Sequence, residues 1–236
     1  MAKIDTMSIE DLLEEFRNEV NRAKQSYYSW KSIHDMATQE QNIFQAINKN
    51  ASSWNIILHS LQTTFLITLG RIFDTNQNFK EDLTIKRFLN RCNEEISQFS
   101  KTKLEERKRR DWKGASEDDL KNYLVNAYEP TKYDFDLLNT EADQHIKTYK
   151  KIYQPIRHKI LAHKDMSVST FELFNQTNIG EIEAALLFLH QVNIVIWEFL
   201  VNGRKIELQN YDLKEDIDII KNDIKQILEK LAKCSL

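Results

Sequence analysis

Apolar residues recur along most of the chain at three- and four-residue steps, the period of one face of an α-helix. From about Ser8, with Asp11 three residues on as a capping partner, the pattern predicts a helix through Trp30 that extends toward Ile47. A second helix starts near Ser52 or Ser53 and carries Trp54, Ile57, Leu58, Leu61, Phe65, Leu69 and Ile72. Ile56, Leu66, Ile67 and Phe73 widen that stripe almost all round, which predicts a central buried helix. A shorter helix is expected over residues 83–99, another over 117–127, and a long one from about Asp134 after Pro130. In the next strongly apolar stretch Ile179, Ile182, Leu186, Leu189, Asn193, Ile196 and Leu200 alternate three- and four-residue steps up to a C-cap signal, Asn202-Gly203. Leu213, Ile217, Ile220, Ile224, Ile227 and Leu231 repeat the rhythm over an appended C-terminal helix at 206–236. Two such seams predict helices packed at shallow angles, with Asn193 setting register.

Composition narrows the class further. Among 236 residues there are four glycines and two prolines, far too few for the turns of a barrel, a sandwich or a doubly wound sheet. The expectation is one all-α domain over 1–236, an antiparallel helical bundle. No Gly-rich phosphate loop, H-E-x-x-H or nucleophile elbow is present, and the scattered histidines show no ligand spacing. No metal and no cofactor are therefore expected. Cys92 and Cys234 form no disulfide framework and suit a reducing cytoplasm. The apolar stretches are interrupted by His59 and Gln62, and by His190, Gln191 and Asn193, so no membrane span is expected.

A net charge of −3 gives no global nucleic-acid signature, so any such contact must be local. Residues 101–113 (KTKLEERKRRDWK) hold seven Lys/Arg against three acids. That run reads either as a mobile basic connector, spanning 101–116, or as an RNA-backbone patch using Arg107, Arg109 and Arg110. In the long helix after Pro130, acids crowd the start and bases the end, as the helix macrodipole favours without any function. Arg71 and Asp74, at i and i+3, read most simply as a local ion pair and alternatively as support for a site elsewhere.

The segment Tyr153-Gln-Pro-Ile-Arg-His-Lys-Ile-Leu-Ala-His163-Lys-Asp165 departs from plain packing. On a wheel of about 100° per residue, Tyr149, Ile152, Ile156 and Ile160 share a stripe and His163 falls in its middle. Arg157 and His158 lie on polar faces. Arg157 and His163 sit about 120° apart and about 9 Å along the axis, too far for one regular helix to aim both at one phosphate, whereas a two-fold partner presenting the same helix brings them together. Pro155 marks either a helix restart, with Arg157 in its first turn, or a kink in a continuous helix.

Arg157-His158-Lys159-Ile160-Leu161-Ala162-His163 resembles the signature of HEPN-domain proteins, an Arg followed by a polar residue and a His after four to six positions, here five. The run I-R-H-K-I-L-A-H-K-D is similar to the version in the abortive-infection-type bacterial branch, as is Leu69-Gly-Arg-Ile-Phe-Asp74. The resemblance implies a HEPN-like helical bundle and a metal-independent endoribonuclease of toxin or phage-defence type, with its site completed in a homodimer. His163 would then be the general base or acid and Arg157 the phosphate ligand, with His158 orienting the site or shuttling a proton. Lys159 and Lys164 would add to RNA binding. An antitoxin partner is part of the same expectation, but Asp165 stands where one branch carries a tyrosine used for control by nucleotidyl transfer. The alternatives are a catalytically silent HEPN module that binds RNA, a nucleotide or a protein, and a plain helical interaction protein.

Overall fold

Ser8 starts the first helix, its hydroxyl accepting the Asp11 N–H at 3.1 Å while donating to the Asp11 carboxylate at 2.7 Å. The computed structural model describes residues 6–75, 82–114, 116–158 and 177–234, and among these there is no strand. Helix α1 (Ile9–Gln39) is 31 residues long, about 46 Å at 1.5 Å per residue. Glu40 is extended and breaks it, so the predicted continuation to Ile47 is a separate helix, α2 (Gln41–Lys49). Helix α3 (Ala51–Ile72) then runs back along α1.

The length of α1 lets it serve two cores. Phe16, Val20, Ala23 and Tyr27 lie in the larger one, with Phe65, Leu69, Phe88, Phe135, Leu186 and Leu189. Ile33 and Met36, two turns further on, join a smaller cluster with Ile43, Ala46, Leu228 and Ala232. This division corrects the reading of α3 as buried throughout: its buried residues begin at Phe65, while Ile56 is 68% exposed. The first half of α3 has only the thin second cluster beneath it, through Trp54, Leu58 and Leu61, so the rest of its wide apolar stripe faces outward.

Thr84 caps α4 (Ile85–Glu94), which is followed by a 3₁₀ turn (Ile96–Phe99) and α5 (Lys101–Asp111). The stretch expected as a mobile basic connector is thus an ordered helix over most of its length. Ser100 accepts the Lys103 N–H at its start, Leu104 is buried against Gly203, and Arg107 and Lys108 turn inward. Helix α6 (Glu117–Val125) opens with a capping box between Ser116 and Asp119, and α7 (Lys132–Thr148) with one between Thr131 and Asp134.

Helix α7 does not stop at Thr148. It widens into a π turn (Tyr149–Tyr153), continues through Gln154–Ile156, and Arg157 still has right-handed helical angles. Of the two readings of Pro155, the continuous helix is the one observed. The proline ring would crowd the carbonyl four residues back and offers it no N–H, and the wider turn beside it relieves that conflict. Helix α8 (Ile179–Trp197) likewise ends in a π turn (Glu198–Asn202), closed by Gly203 at φ +52°. It has the length and apolarity of a membrane span, yet Leu186, Leu189, Val192, Ile196 and Leu200 are buried in the larger core. Helix α9 (Lys214–Cys234) lies along α1 and α2 and completes the smaller core.

Candidate functional site

The end of α3 and the π turn of α7 meet at a glycine. Gly70 sits inside α3, where glycine costs about 1 kcal/mol relative to alanine. The reason for it is steric: a Cβ there would come within 2.5 Å of both Arg157 Cδ and the Tyr149 hydroxyl oxygen. The missing side chain is the channel through which Arg157 crosses α3. At the far side Arg157 Nη2 donates to Asp74 Oδ2 at 3.2 Å, with both side chains about one-fifth exposed.

Asp74 was the natural local partner of Arg71, and the structure separates them. Arg71 turns to the other side and donates to Glu19 of α1 at 2.7 Å. Asp74, two residues past the end of α3, serves the distant arginine instead. That is the alternative reading of the pair, support for a site elsewhere. A guanidinium has five N–H donors, so a single carboxylate contact fixes its orientation without exhausting it. Arg157 is therefore aimed, partly exposed, and still able to bond a further anion bidentately.

Aromatic rings anchor this geometry from below. Tyr149 packs against Phe73 (5.8 Å between centroids) and Tyr153 (6.2 Å). Its buried hydroxyl lies beside Arg157 without a well-formed hydrogen bond. Burial pushes the Tyr149 phenol up to about 12 against the opposing pull of the Arg157 charge, so it stays neutral. Tyr153 OH donates to Asn178 O at 2.9 Å and receives the Asn178 N–H at 3.2 Å, which brings the chain back into the bundle beside the π turn. His145, one turn before Tyr149, is sandwiched between Phe73 and Phe188. Burial lowers its pKa.

Around Arg157 the outer face of α7 is basic. Lys147, Lys150, Lys151 and His158 are exposed, and residues 147–158 contain no acid. The three residues expected to join Arg157, namely His163, Lys159 and Lys164, lie outside the described residues. Among the described residues no group of three His, Cys, Asp or Glu side chains gathers as a metal-ligand set.

The other predicted basic patch is placed differently. Arg107 is buried and donates to Gln98 O at 2.6 Å, with Glu10 at 3.6 Å. Arg109 lies between Glu105 (2.8 Å) and Glu117 (2.5 Å). Arg110 pairs with Asp111 at 2.9 Å and stands 3.8 Å from Glu10. These three already carry carboxylate or carbonyl partners of their own.

Sequence reasoning did not single out Gly70 or Tyr149. The signal for Gly70 was present: in a chain with four glycines, one inside an apolar helix implies a close approach. The family model described as HEPN_AbiU2, AbiU2, matches residues 8–221, a span that holds both halves of this site. No curated protein and no solved structure matches the chain.

Proposed function

The chain belongs to the AbiU2 family of HEPN proteins and is a helical module of abortive-infection type, and on that footing we propose that it is a cytosolic, metal-independent endoribonuclease of the toxin or phage-defence kind. The observation that supports this most directly is the placement of Arg157. A guanidinium led across Gly70 and fixed by Asp74, at the end of a helical segment that carries bases and no acid of its own, is built to receive a phosphate diester.

The chemistry follows from what RNA supplies. The 2′-hydroxyl loses its proton to a base and its oxygen attacks the adjacent phosphorus; the bond to the 5′-oxygen breaks, and that oxygen is protonated. The products are a 2′,3′-cyclic phosphate and a 5′-hydroxyl. Arg157 stabilises the charge that accumulates on the non-bridging oxygens. His163 is the proton carrier in this reading, since imidazole is the side chain best suited to take up and release a proton under physiological conditions. Lys159 and Lys164, in the same motif, hold flanking phosphates, and His158 orients the site. The spacing of Arg157 and His163 favours a homodimer in which each chain completes the other's site. Restraint by an antitoxin fits the same role.

The test is cleavage of single-stranded RNA in EDTA by wild type, Arg157→Ala and His163→Ala. Cyclic phosphate ends from the wild type, and cutting lowered by about 100-fold or more in either variant at unchanged helical content, are expected. Cutting that EDTA abolishes, or wild-type rates in both variants, overturns the proposal. RNA binding without cleavage by the wild type identifies the silent module instead.

A further inference from the structure

Helices α1 and α8 and the start of α9 leave an open pocket of about 370 Å³ between them, a size suited to small ligands. Its floor is apolar, made by Tyr28 of α1, Leu187 of α8, and Leu213 and Ile217 at the α9 end. Glu183, Asp212, Lys214 and Asp218 stand around that floor. Helical spacing produces the combination. Glu183 and Leu187 are i, i+4 on α8, and Leu213 with Ile217 and Lys214 with Asp218 repeat the step at the α9 end, so acid and apolar positions run side by side. The α3–α7 site shares none of these residues.

The acids of this pocket are unspent. Glu183 accepts the Tyr27 hydroxyl at 3.1 Å, and Asp212 accepts the Lys214 backbone N–H at 3.0 Å; both donors are neutral. Asp218 is exposed, and among the described residues none of the three is in an ion pair. Lys214 is the one cation of the lining, so three carboxylates face a single ammonium.

A second observation does not depend on that charge. Tyr28 is only 5% exposed, its ring packed on Tyr27 at 5.0 Å between centroids. Among the described residues its hydroxyl has no hydrogen-bond partner, and the little of Tyr28 that remains open lines the pocket. A buried tyrosine ordinarily finds a partner for that group. Burial, followed by the Glu183 charge, raises the Tyr28 pKa, so the phenol is neutral and its oxygen is available as an acceptor beside a carboxylate.

These features specify a complementary occupant. The excess of carboxylates repels an anion. A bare metal ion gains nothing from the apolar floor, and among the described residues no metal-ligand set gathers. An ammonium group carries positive charge and three N–H donors with no acceptor, which matches the carboxylates and the phenol oxygen, and an attached hydrocarbon matches the floor.

We propose that this pocket binds a primary organic amine with an apolar body, its ammonium held by Glu183, Asp218 and the Tyr28 hydroxyl oxygen and its body laid against Leu187 and Ile217.

NMR titration of the full chain with phenethylammonium, phenethyl alcohol and methylammonium at equal ionic strength tests this. The first is expected to bind about tenfold more tightly than the alcohol, which keeps the body without the charge. It is expected to exceed by a similar factor methylammonium, which keeps the charge without the body. Asp218→Asn, on the surface, is expected to weaken phenethylammonium about tenfold. Tyr28→Phe, which retains the packed ring, is expected to weaken it several-fold; if circular dichroism shows that variant unfolded, Asp218→Asn decides alone. Arg157→Ala is expected to leave amine binding intact, which separates this pocket from the nuclease site. Phenethylammonium that binds no more tightly than the alcohol, or than methylammonium, overturns the proposal. So does amine binding that survives unchanged in the folded pocket variants or disappears in Arg157→Ala.

Discussion

Helix α5 with its flanks and the end of α7 carry the same formal charge and present it in opposite ways. Residues 101–113 hold seven bases and three acids; residues 147–158 hold four bases and no acid; each is +4. On α5 the charge is already spent: Arg107 on Gln98 O and Glu10, Arg109 on Glu105 and Glu117, Arg110 on Asp111, Lys103 on Glu106. Lys108 is folded over the rings of Trp112 and Tyr123, 5.0 Å from each. At the end of α7, Lys147, Lys150 and Lys151 extend into solvent, and Arg157 is oriented by one carboxylate. A count of charges in sequence measures how many cations there are. Affinity for phosphate depends on how many lack a better partner, and that is set by tertiary neighbours such as Glu10 and Glu117, far from the basic run or across a turn from it.

The largest expected contrast comes from removing one cation from each region. Arg157→Ala is expected to lower RNA cleavage by about 100-fold, on the order of 3 kcal/mol of transition-state stabilisation, with an unchanged thermal midpoint. Arg107→Ala is expected to do the reverse, lowering the midpoint while leaving cleavage per folded molecule unchanged. Cleavage rates normalised to folded protein separate the two. Equal losses of activity would erase the distinction between the regions.

Next in size is Gly70→Ala. The added methyl group needs the space of Arg157 Cδ and the Tyr149 hydroxyl, 2.5 Å from its ideal position. Overpacking of this kind costs about 1–3 kcal/mol. Urea unfolding should show that loss even though alanine is the better helix former, and cleavage should fall because Arg157 is displaced. A stabilised Gly70→Ala protein would mean that the arginine does not need the channel.

How much of this was legible in the sequence depends on which residues carried the information. The helices were readable because their apolar stripes and caps, such as Ser8 with Asp11, are local. The ordering of α5 was not, because it rests on Leu104 meeting Gly203 and on Arg107 reaching Gln98, contacts that a charge count hides. The half-exposed α3 was misread for a related reason: an all-round apolar stripe states what can be buried, and the thin second core decides what is. At the site, Arg157 stood out by its motif. Its support by Asp74 was present only as one of two readings, since i, i+3 spacing favours Arg71 and only the fold shows Arg71 drawn off by Glu19.

Acidity should act on one region and spare the other. Helix α5 contains no histidine, whereas α7 carries His145 buried between Phe73 and Phe188 just before the π turn. Burial holds its folded pKa below the ordinary value, against the raising influence of Glu141. The unfolded chain therefore binds a proton more readily than the native one, and stability rises with pH up to the unfolded pKa of about 6.5. The contribution is fully present above that value and is lost as pH falls from there toward the folded pKa. His34 and His190 are also lowered by burial and act in the same direction. Unfolding midpoints in urea at pH 7.5 and 5.5 measure the loss, and His145→Phe is expected to reduce it. An undiminished pH dependence in that variant would place the effect on the other two histidines.

The smallest effect discriminates most directly between spent and unspent charge. A cation that neutralises a phosphate releases a counterion, and each such contact adds about 0.7 to the slope of log affinity against log salt for single-stranded RNA. Lys150→Gln with Lys151→Gln removes two exposed cations from a segment without acids, so the slope is expected to fall by about 1.4. Arg109→Gln with Arg110→Gln removes the same formal charge from α5. Those guanidiniums are already bound to Glu105, Glu117 and Asp111, so a phosphate would have to displace a carboxylate to gain one. The slope of that variant should match the wild type. Affinities measured between low and high salt on the two double variants decide it, because the total charge removed is identical and only its prior engagement differs. A fall of equal size in both would show that the ion pairs of α5 open for RNA, and that the basic run contributes to binding after all.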